Sequence, residues 1–306
     1  MIFDAHRGEF YALFAALLWV FGAMLFEFLG KKNGATTVNF LRLLLGFIFL
    51  SIFTFFSRGF LLPLDADLHS WLWLLLSGIV GFAIGDLFLF KSLVMLGARI
   101  SMLIMTLAPP IAAIFGWLIL GETLSPYQFI GMVVTLFGIA VVILQKEDKN
   151  SGNITKNGNR KFKYPLIGIL MAVIGAFGQG FGLVLSKLGM KDYNPFAATQ
   201  IRIIAGLFGL GIIISFSKKW KTVLKPVRNI KTMSLLSLGA IFGSFLGISF
   251  SLLAIKYTNT GVASTIMAIQ PILLIPASMI IFQEKVNVSE VIGALIAVAG
   301  IALFFI

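Results

Sequence analysis

The chain says almost everything twice. Sliding it by 162 positions without a gap lays Gly81 on Gly243, Gly85 on Gly247, Phe88 on Phe250, Pro109 on Pro271 and Glu122 on Glu284. The same shift carries Ile130-Gly131 onto Ile292-Gly293 and Gly138-Ile139-Ala140 onto Gly300-Ile301-Ala302. The earlier part of each half matches at a shift of 160, which pairs Gly8 with Gly168, Gly22 with Gly182, Arg42 with Arg202 and Gly46 with Gly206. Self-similarity of this length limits the fold to two copies of one structural unit, and it outranks any local motif.

The repeated unit is apolar. Of 306 residues, 59% are hydrophobic and 12% charged, against about 25% charged in a soluble domain. The apolar residues fall in runs of roughly 20, the length a helix needs to cross a hydrocarbon core about 30 Å thick. A soluble fold would need helices apolar on every face, and a membrane barrel would alternate apolar and polar positions. The chain is therefore read as an all-α polytopic membrane protein. Ten transmembrane helices are expected, near 9–29, 36–57, 70–91, 99–120, 126–145, 164–187, 195–216, 231–256, 260–282 and 288–306. Ser125-Pro126 suits the cap and first position of the fifth span. The polar, Asn-, Gly- and Lys-rich stretch 146–163 reads as a linker, which divides the chain into a first five-helix repeat, 1–145, and a second, 164–306. Because five is odd, the second repeat enters from the opposite face, and the two are inverted about an axis in the membrane plane. That architecture is common in secondary transporters, with substrate held near the midplane between the repeats.

Charge orients the chain rather than naming a nucleic-acid partner. Loops on the face expected to hold both termini carry Arg7, Arg58, Lys187, Lys191 and Lys256, while the other face has seventeen basic residues. Taken alone, the positive-inside rule puts the richer face in the cytoplasm and both termini outside. With no cysteine, disulfides and thiolate-bound metals are excluded. The first span has no basic lead-in or cleavage site and is expected to be retained. There is no nucleotide loop and no cluster of metal ligands, so neither a cofactor nor an enzymatic activity is expected.

Ionisable side chains inside spans are costly and are functional candidates by default. The acids are Glu27 and Asp86, expected in the same half of the bundle's depth as Arg42, Lys91 and Arg99. An acid among bases there would serve as a proton-sensitive gate, or as a fixed pair that orients helices. Towards the other face lie Lys187, Arg202 and Lys256 with no acid expected inside the membrane; such a vestibule would favour a carboxylate or phosphate, unless its long side chains snorkel to the interface. The symmetry mates differ: Glu27 answers to Lys187, and Asp86 to Ile248. Nearer mid-span lie Gln179, Gln270, Ser244, Ser249, Ser251 and Thr106, able to bond substrate or simply another helix. Pro109, Pro110, Pro271 and Pro276 would bend spans four and nine, and Trp19 would wall a cavity or merely pack. Gly81-x3-Gly85 and Gly243-x3-Gly247 permit close helix contact, within the chain or across a dimer; a monomer is expected.

Two five-span halves, each with a proline in its fourth span and a Gly-Glu or Gln-Glu before its fifth, resemble the EamA family of the drug/metabolite transporter superfamily. The residues that carry the resemblance are Trp19, Arg42, GAR-x-SM-x(6)-P ending at Pro109, and LGE at Glu122, then KYTNTGVAS from Lys256, Pro271 and Glu284. The chain departs from the family where a lysine is usual (Glu27), where a second tryptophan would stand (Gln179), and in the sidedness its charges imply. The resemblance implies a cell-membrane secondary transporter that exports amino acids or related small metabolites, plausibly with protons, through a cavity lined by spans one, three, four, six, eight and nine. Spans five and ten would then be supports. The partners implied are a small-molecule substrate, the lipid bilayer and protons. The alternatives are an uncoupled metabolite carrier and a lipid-handling or scaffold protein.

Overall fold

The structure, a computed structural model, describes residues 6–143, 165–270, 272–274 and 288–303. The linker, Pro271 and Pro276 lie outside the described residues. Seven helical segments are long and apolar enough to cross a membrane: Arg7–Asn33, Ala35–Arg58, Leu68–Leu96, Ile100–Leu120, Leu166–Met190, Pro195–Phe216 and Ile230–Tyr257. They stand where spans one to four and six to eight were expected. Three shorter helical segments, Pro126–Ile143, Thr260–Leu274 and Val288–Ala302, occupy the places of spans five, nine and ten. The turns between spans are short and chemically specified. Gly34, at φ 89°, alone separates spans one and two, a conformation only glycine adopts without strain. Asp67, Asn194 and Asn229 cap spans three, seven and eight by accepting backbone N–H bonds at 2.8–3.2 Å. Between spans seven and eight, a short helix, Trp220–Leu224, and a 3₁₀ turn, Lys225–Arg228, fill what the sequence suggested was loop.

The two repeats are packed by contacts that come in mirrored pairs. A Cβ on Gly22 would lie 3.3 Å from Gly243 Cα, and one on Gly182 would lie 3.2 Å from Gly81 Cα. A Cβ on Gly8 would lie 2.7 Å from Thr258, and one on Gly168 would lie 2.8 Å from Leu96. Spans five and ten meet face to face, Gly138 against Gly293 and Ala297, Gly300 against Gly131 and Thr135. Each second contact is the first one carried across by the shifts of 160 and 162 read from the sequence. That reciprocity is what an inverted pseudo-two-fold produces, and the matched glycines are the places where helix backbones from opposite repeats approach. The Gly-x3-Gly pairs in spans three and eight are used in this way inside the chain, packed against spans six and one.

Spans three and eight also share a break in their winding. Each contains a π-helical stretch, Ile79–Gly85 and Ala240–Gly247, and the two nearly superpose at the same shift of 162. Wider π turns inside α-helices redirect side chains and cluster at functional sites. Asp86 and Ile248 are the first residues after them.

Close approach makes a testable pair. A Cβ on Gly78 would fall 2.2 Å from the backbone oxygen of Arg202, whereas nothing lies within 4 Å of one on Gly211. Gly78→Ala should cost about 1–3 kcal/mol by forcing spans three and seven apart. Gly211→Ala should be neutral or stabilising by up to about 1 kcal/mol. Thermal unfolding of the purified protein in detergent would compare them.

Candidate functional site

At mid-depth, Arg42 of span two is fully buried and held on every side. Its guanidinium forms an ion pair with Asp86 of span three. It donates to the side-chain oxygen of Asn39 from Nε at 3.1 Å and from a terminal nitrogen at 3.0 Å, and to Ser244 of the other repeat at 3.1 Å. Phe26 and Phe90 flank its face with ring centroids 5.3 and 4.6 Å away. Asp86 is also fully buried, and its second oxygen accepts from the amide of Gln179 in span six. A buried charge persists only with such pairing, because the desolvation cost otherwise amounts to several kcal/mol per ion.

Beside this pair is a cavity of about 110 Å³. Its polar positions are Asp86, Gln179, Arg202, Ser251, Ser264 and Gln270; its apolar walls include Trp19, Phe82, Met102, Met105, Pro109 and Met267. A water needs about 10–15 Å³ by this measure, so the space accepts a molecule of roughly ten non-hydrogen atoms. Trp19 is fixed by its indole N–H, which reaches Ser251 at 3.4 Å. Span four turns 3₁₀ over Met105–Leu107 just before Pro109 and Pro110, which open its second helix, Ala108–Leu120. The break aims Met105 and Pro109 inward. The cavity is lined by spans one, three, four, six, eight and nine, together with Arg202 of span seven. Spans five and ten contribute no lining among the described residues.

Each end of the bundle has its own polar lock. At one end, Glu27 accepts the backbone N–H of Ala98, the start of span four, at 3.0 Å, and pairs with Lys31. At the other, Glu122 accepts the backbone N–H of Thr260, the start of span nine, at 2.8 Å, as well as its hydroxyl. Lys187 pairs with Glu122 at 2.6 Å and donates to the carbonyl of Thr258 at 2.7 Å. Ala98 and Thr260 are symmetry mates, as are Glu27 and Lys187. One helix start is thus held by the acid itself, and its mate by an acid borrowed from span four and anchored on the lysine. On the same face as Glu122, Asp65 pairs with Arg58 and accepts the Tyr193 hydroxyl at 2.9 Å; burial pushes the Tyr193 phenol up to about 12.

The sequence-derived candidates therefore separate. Trp19, Asp86, Gln179, Arg202, Gln270 and Pro109 line the cavity; Arg42 and Ser244 stand behind Asp86; Glu27 and Lys187 are at opposite ends and touch no cavity residue. One expectation needs correction. The vestibule near Lys187 is not without an acid, because Glu122, which reads as a loop-end residue, folds back onto it. Glu27, expected in the same half of the depth as Asp86, commits its carboxylate to the N-terminus of span four and to Lys31. Lys91 lies over the Phe88 ring at 5.3 Å rather than on an acid. Sequence reasoning missed Asn39, Phe82 and the π turns. Their only trace was the run of matched glycines, which marks close approach without naming the winding that permits it.

Two inverted helical repeats enclosing a polar-dotted cavity at mid-depth define the class: a multi-pass membrane transporter. The model of the EamA-like transporter family matches residues 6–144 and again 166–306, and the chain belongs to that family. The "Uncharacterized inner membrane transporter YhbE" of Escherichia coli (strain K12) is 28% identical over 141 residues, covering 45% of this chain and 43% of that one. The "Uncharacterized transporter YxxF" of Bacillus subtilis (strain 168) is 28% identical over 151 residues, 49% and 46% of the two chains. These matches thus span less than half of either partner. "Probable purine permease 8" of Arabidopsis thaliana is 21% identical over 315 residues, with 94% of this chain and 76% of that one covered. One crystal structure shares the fold with a TM-score of 0.71 at 17% identity, over 97% of this chain and 96% of that one.

The end locks differ in strength. Glu122 is 11% exposed and faces three donors, whereas Glu27 is 22% exposed and its lysine partner largely solvated. Glu122→Ala should cost about 2 kcal/mol, and Glu27→Ala about 1 kcal/mol or less. Chemical denaturation monitored by intrinsic tryptophan fluorescence would rank them.

Proposed function

We propose that the protein is a secondary transporter of the cell membrane. It exports small organic metabolites, amino acids among them, by alternating access of its two inverted repeats, with Asp86 as a proton-responsive group. The observation that carries this reading is the buried Arg42–Asp86 pair at the wall of a cavity formed between the repeats. Because Arg42 also bonds Ser244 across the repeat boundary, the pair ties the two units together at their most buried point. A proton on Asp86 cancels its charge, weakens its hold on Arg42, and loosens that tie. The π turns of spans three and eight, placed against the opposite repeat, supply backbone that can rewind without breaking the helix. The locks at Glu27 and at Glu122–Lys187 stand where spans four and nine begin, the places a gate at either end must open.

A second substrate class has support of its own. The relative named a probable purine permease aligns along 94% of this chain. The cavity pairs the rings of Trp19 and Phe82 with the amides of Gln179 and Gln270, the flat faces and hydrogen-bonding groups that a nucleobase requires.

Reconstitution into proteoliposomes tests both. A panel of amino acids and nucleobases should include at least one solute whose flux rises severalfold under an imposed pH gradient. Asp86→Asn, which keeps the shape but cannot ionise, should lower that flux about tenfold, the scale of one charge-assisted contact, and flatten its pH response. Flux indifferent to the gradient and to Asp86→Asn would dismiss proton coupling in favour of facilitated diffusion. No flux of any solute would turn the assignment towards a lipid-handling or scaffold protein.

A further inference from the structure

Arg42 and Arg202 are symmetry mates in unlike circumstances. Every polar partner that satisfies Arg42 has been replaced at the equivalent place beside Arg202. Asp86 becomes Ile248, Ser244 becomes Phe82, and Asn39 becomes Thr199, whose hydroxyl is committed to Pro195 O at 2.8 Å. Arg202 is 3% exposed, yet among the described residues it makes no hydrogen bond or ion pair, and its buried Nε lacks a partner. Its guanidinium stacks on Phe82, 4.4 Å from the ring centroid, and borders the cavity. Asp86, already engaged by Arg42 and Gln179, lies within electrostatic range but beyond ion-pair contact. Among the described residues, the centre of the protein thus holds two guanidinium groups and one carboxylate.

An uncompensated buried cation is among the most destabilising features a protein can carry, and inside a membrane it marks a pathway or a ligand. Arginine's planar fork suits one ligand chemistry above others, an oxyanion taken by two parallel N–H bonds. We propose that Arg202 is the anchor for a carboxylate on the transported molecule, whose body lies against Trp19, Met102, Met105 and Met267 while Gln270 meets a polar substituent. The bound carboxylate brings the buried charges to two positive and two negative. A carboxylate fits better than a phosphate because the cavity offers one guanidinium and mostly apolar walls, and holds roughly ten non-hydrogen atoms. This rests on the transporter reading above and names its substrate class.

The test is ligand-induced thermal stabilisation of the purified protein in detergent. Probes are L-leucine, L-phenylalanine, 4-methylpentanoate and 3-phenylpropionate, each with its amide counterpart, plus inorganic phosphate. At least one acid should bind tenfold or more tightly than its amide, since a hydrogen bond to a charged group is worth about 1.5–3 kcal/mol. Arg202→Gln should erase that preference, and Arg202→Lys should retain part of it. Ile248→Asp restores the missing partner and should erase the preference while leaving the resting protein at least as stable as the wild type. Equal binding of acids and amides, an acid preference surviving Arg202→Gln, no acid binding, or binding of phosphate alone would each overturn the proposal. Proteoliposome flux keeps the two readings apart: transport of neutral solutes with no acid preference removes this inference and leaves transport standing, whereas acid binding without flux does the reverse.

Discussion

A guanidinium in the middle of a membrane protein must be given its counter-charge and its hydrogen bonds by the protein itself, and the rest of this molecule is arranged to do that for Arg42. Asp86 neutralises it, Asn39 and Ser244 accept three more of its N–H bonds, and the rings of Phe26 and Phe90 flank it. Each partner comes from a different part of the fold: Asn39 from the same helix, Asp86 from the far side of a π turn, Ser244 from the other repeat. The ion pair itself lies within the first repeat, but its hydrogen bonds to Ser244 and from Gln179 form only when the second repeat is docked. A change in its charge therefore bears on how the two repeats hold together.

The scaffold around the pair is built by repetition. Glycines at matched positions let spans one and eight, six and three, and five and ten approach in reciprocal fashion. The helix starts at Ala98 and Thr260 are both held by carboxylates, though by different routes. Under the proposed alternating access, symmetry of this kind would give two nearly equivalent ways of closing, one at each end. The proposed chemistry, by contrast, lies where the copies disagree. Arg42 is satisfied and Arg202 is not, and the cavity opens on the unsatisfied one.

Much of this was legible in the chain itself. The apolar runs placed the seven long helices to within a few residues, since helix length follows membrane thickness, and the Gly-x3-Gly pairs marked places of close helix contact without naming the partner helix. Asp86, Arg202, Gln179 and Trp19 could be singled out because polar groups in apolar spans are rare. Pairing was harder to read. That Asp86 bonds Arg42 rather than Lys91, or that Glu122 reaches Lys187 across some 65 positions of sequence, depends on helix rotation, and the π turns change that rotation locally in a way no hydropathy pattern records. Glu27 and Lys187 stand at opposite ends, as inverted symmetry mates must, but which helix start each would answer to was not legible in the sequence.

The central claim is that two symmetry-related arginines carry opposite energetic signs in the resting protein. Replacing each by methionine and measuring unfolding of the ligand-free protein in detergent tests it directly. Arg42→Met should destabilise by about 3–5 kcal/mol, because it strands the buried Asp86. Arg202→Met should leave stability unchanged or raise it, because it removes a buried charge that has no hydrogen bond or ion pair among the described residues. Equal losses at both positions would contradict the account.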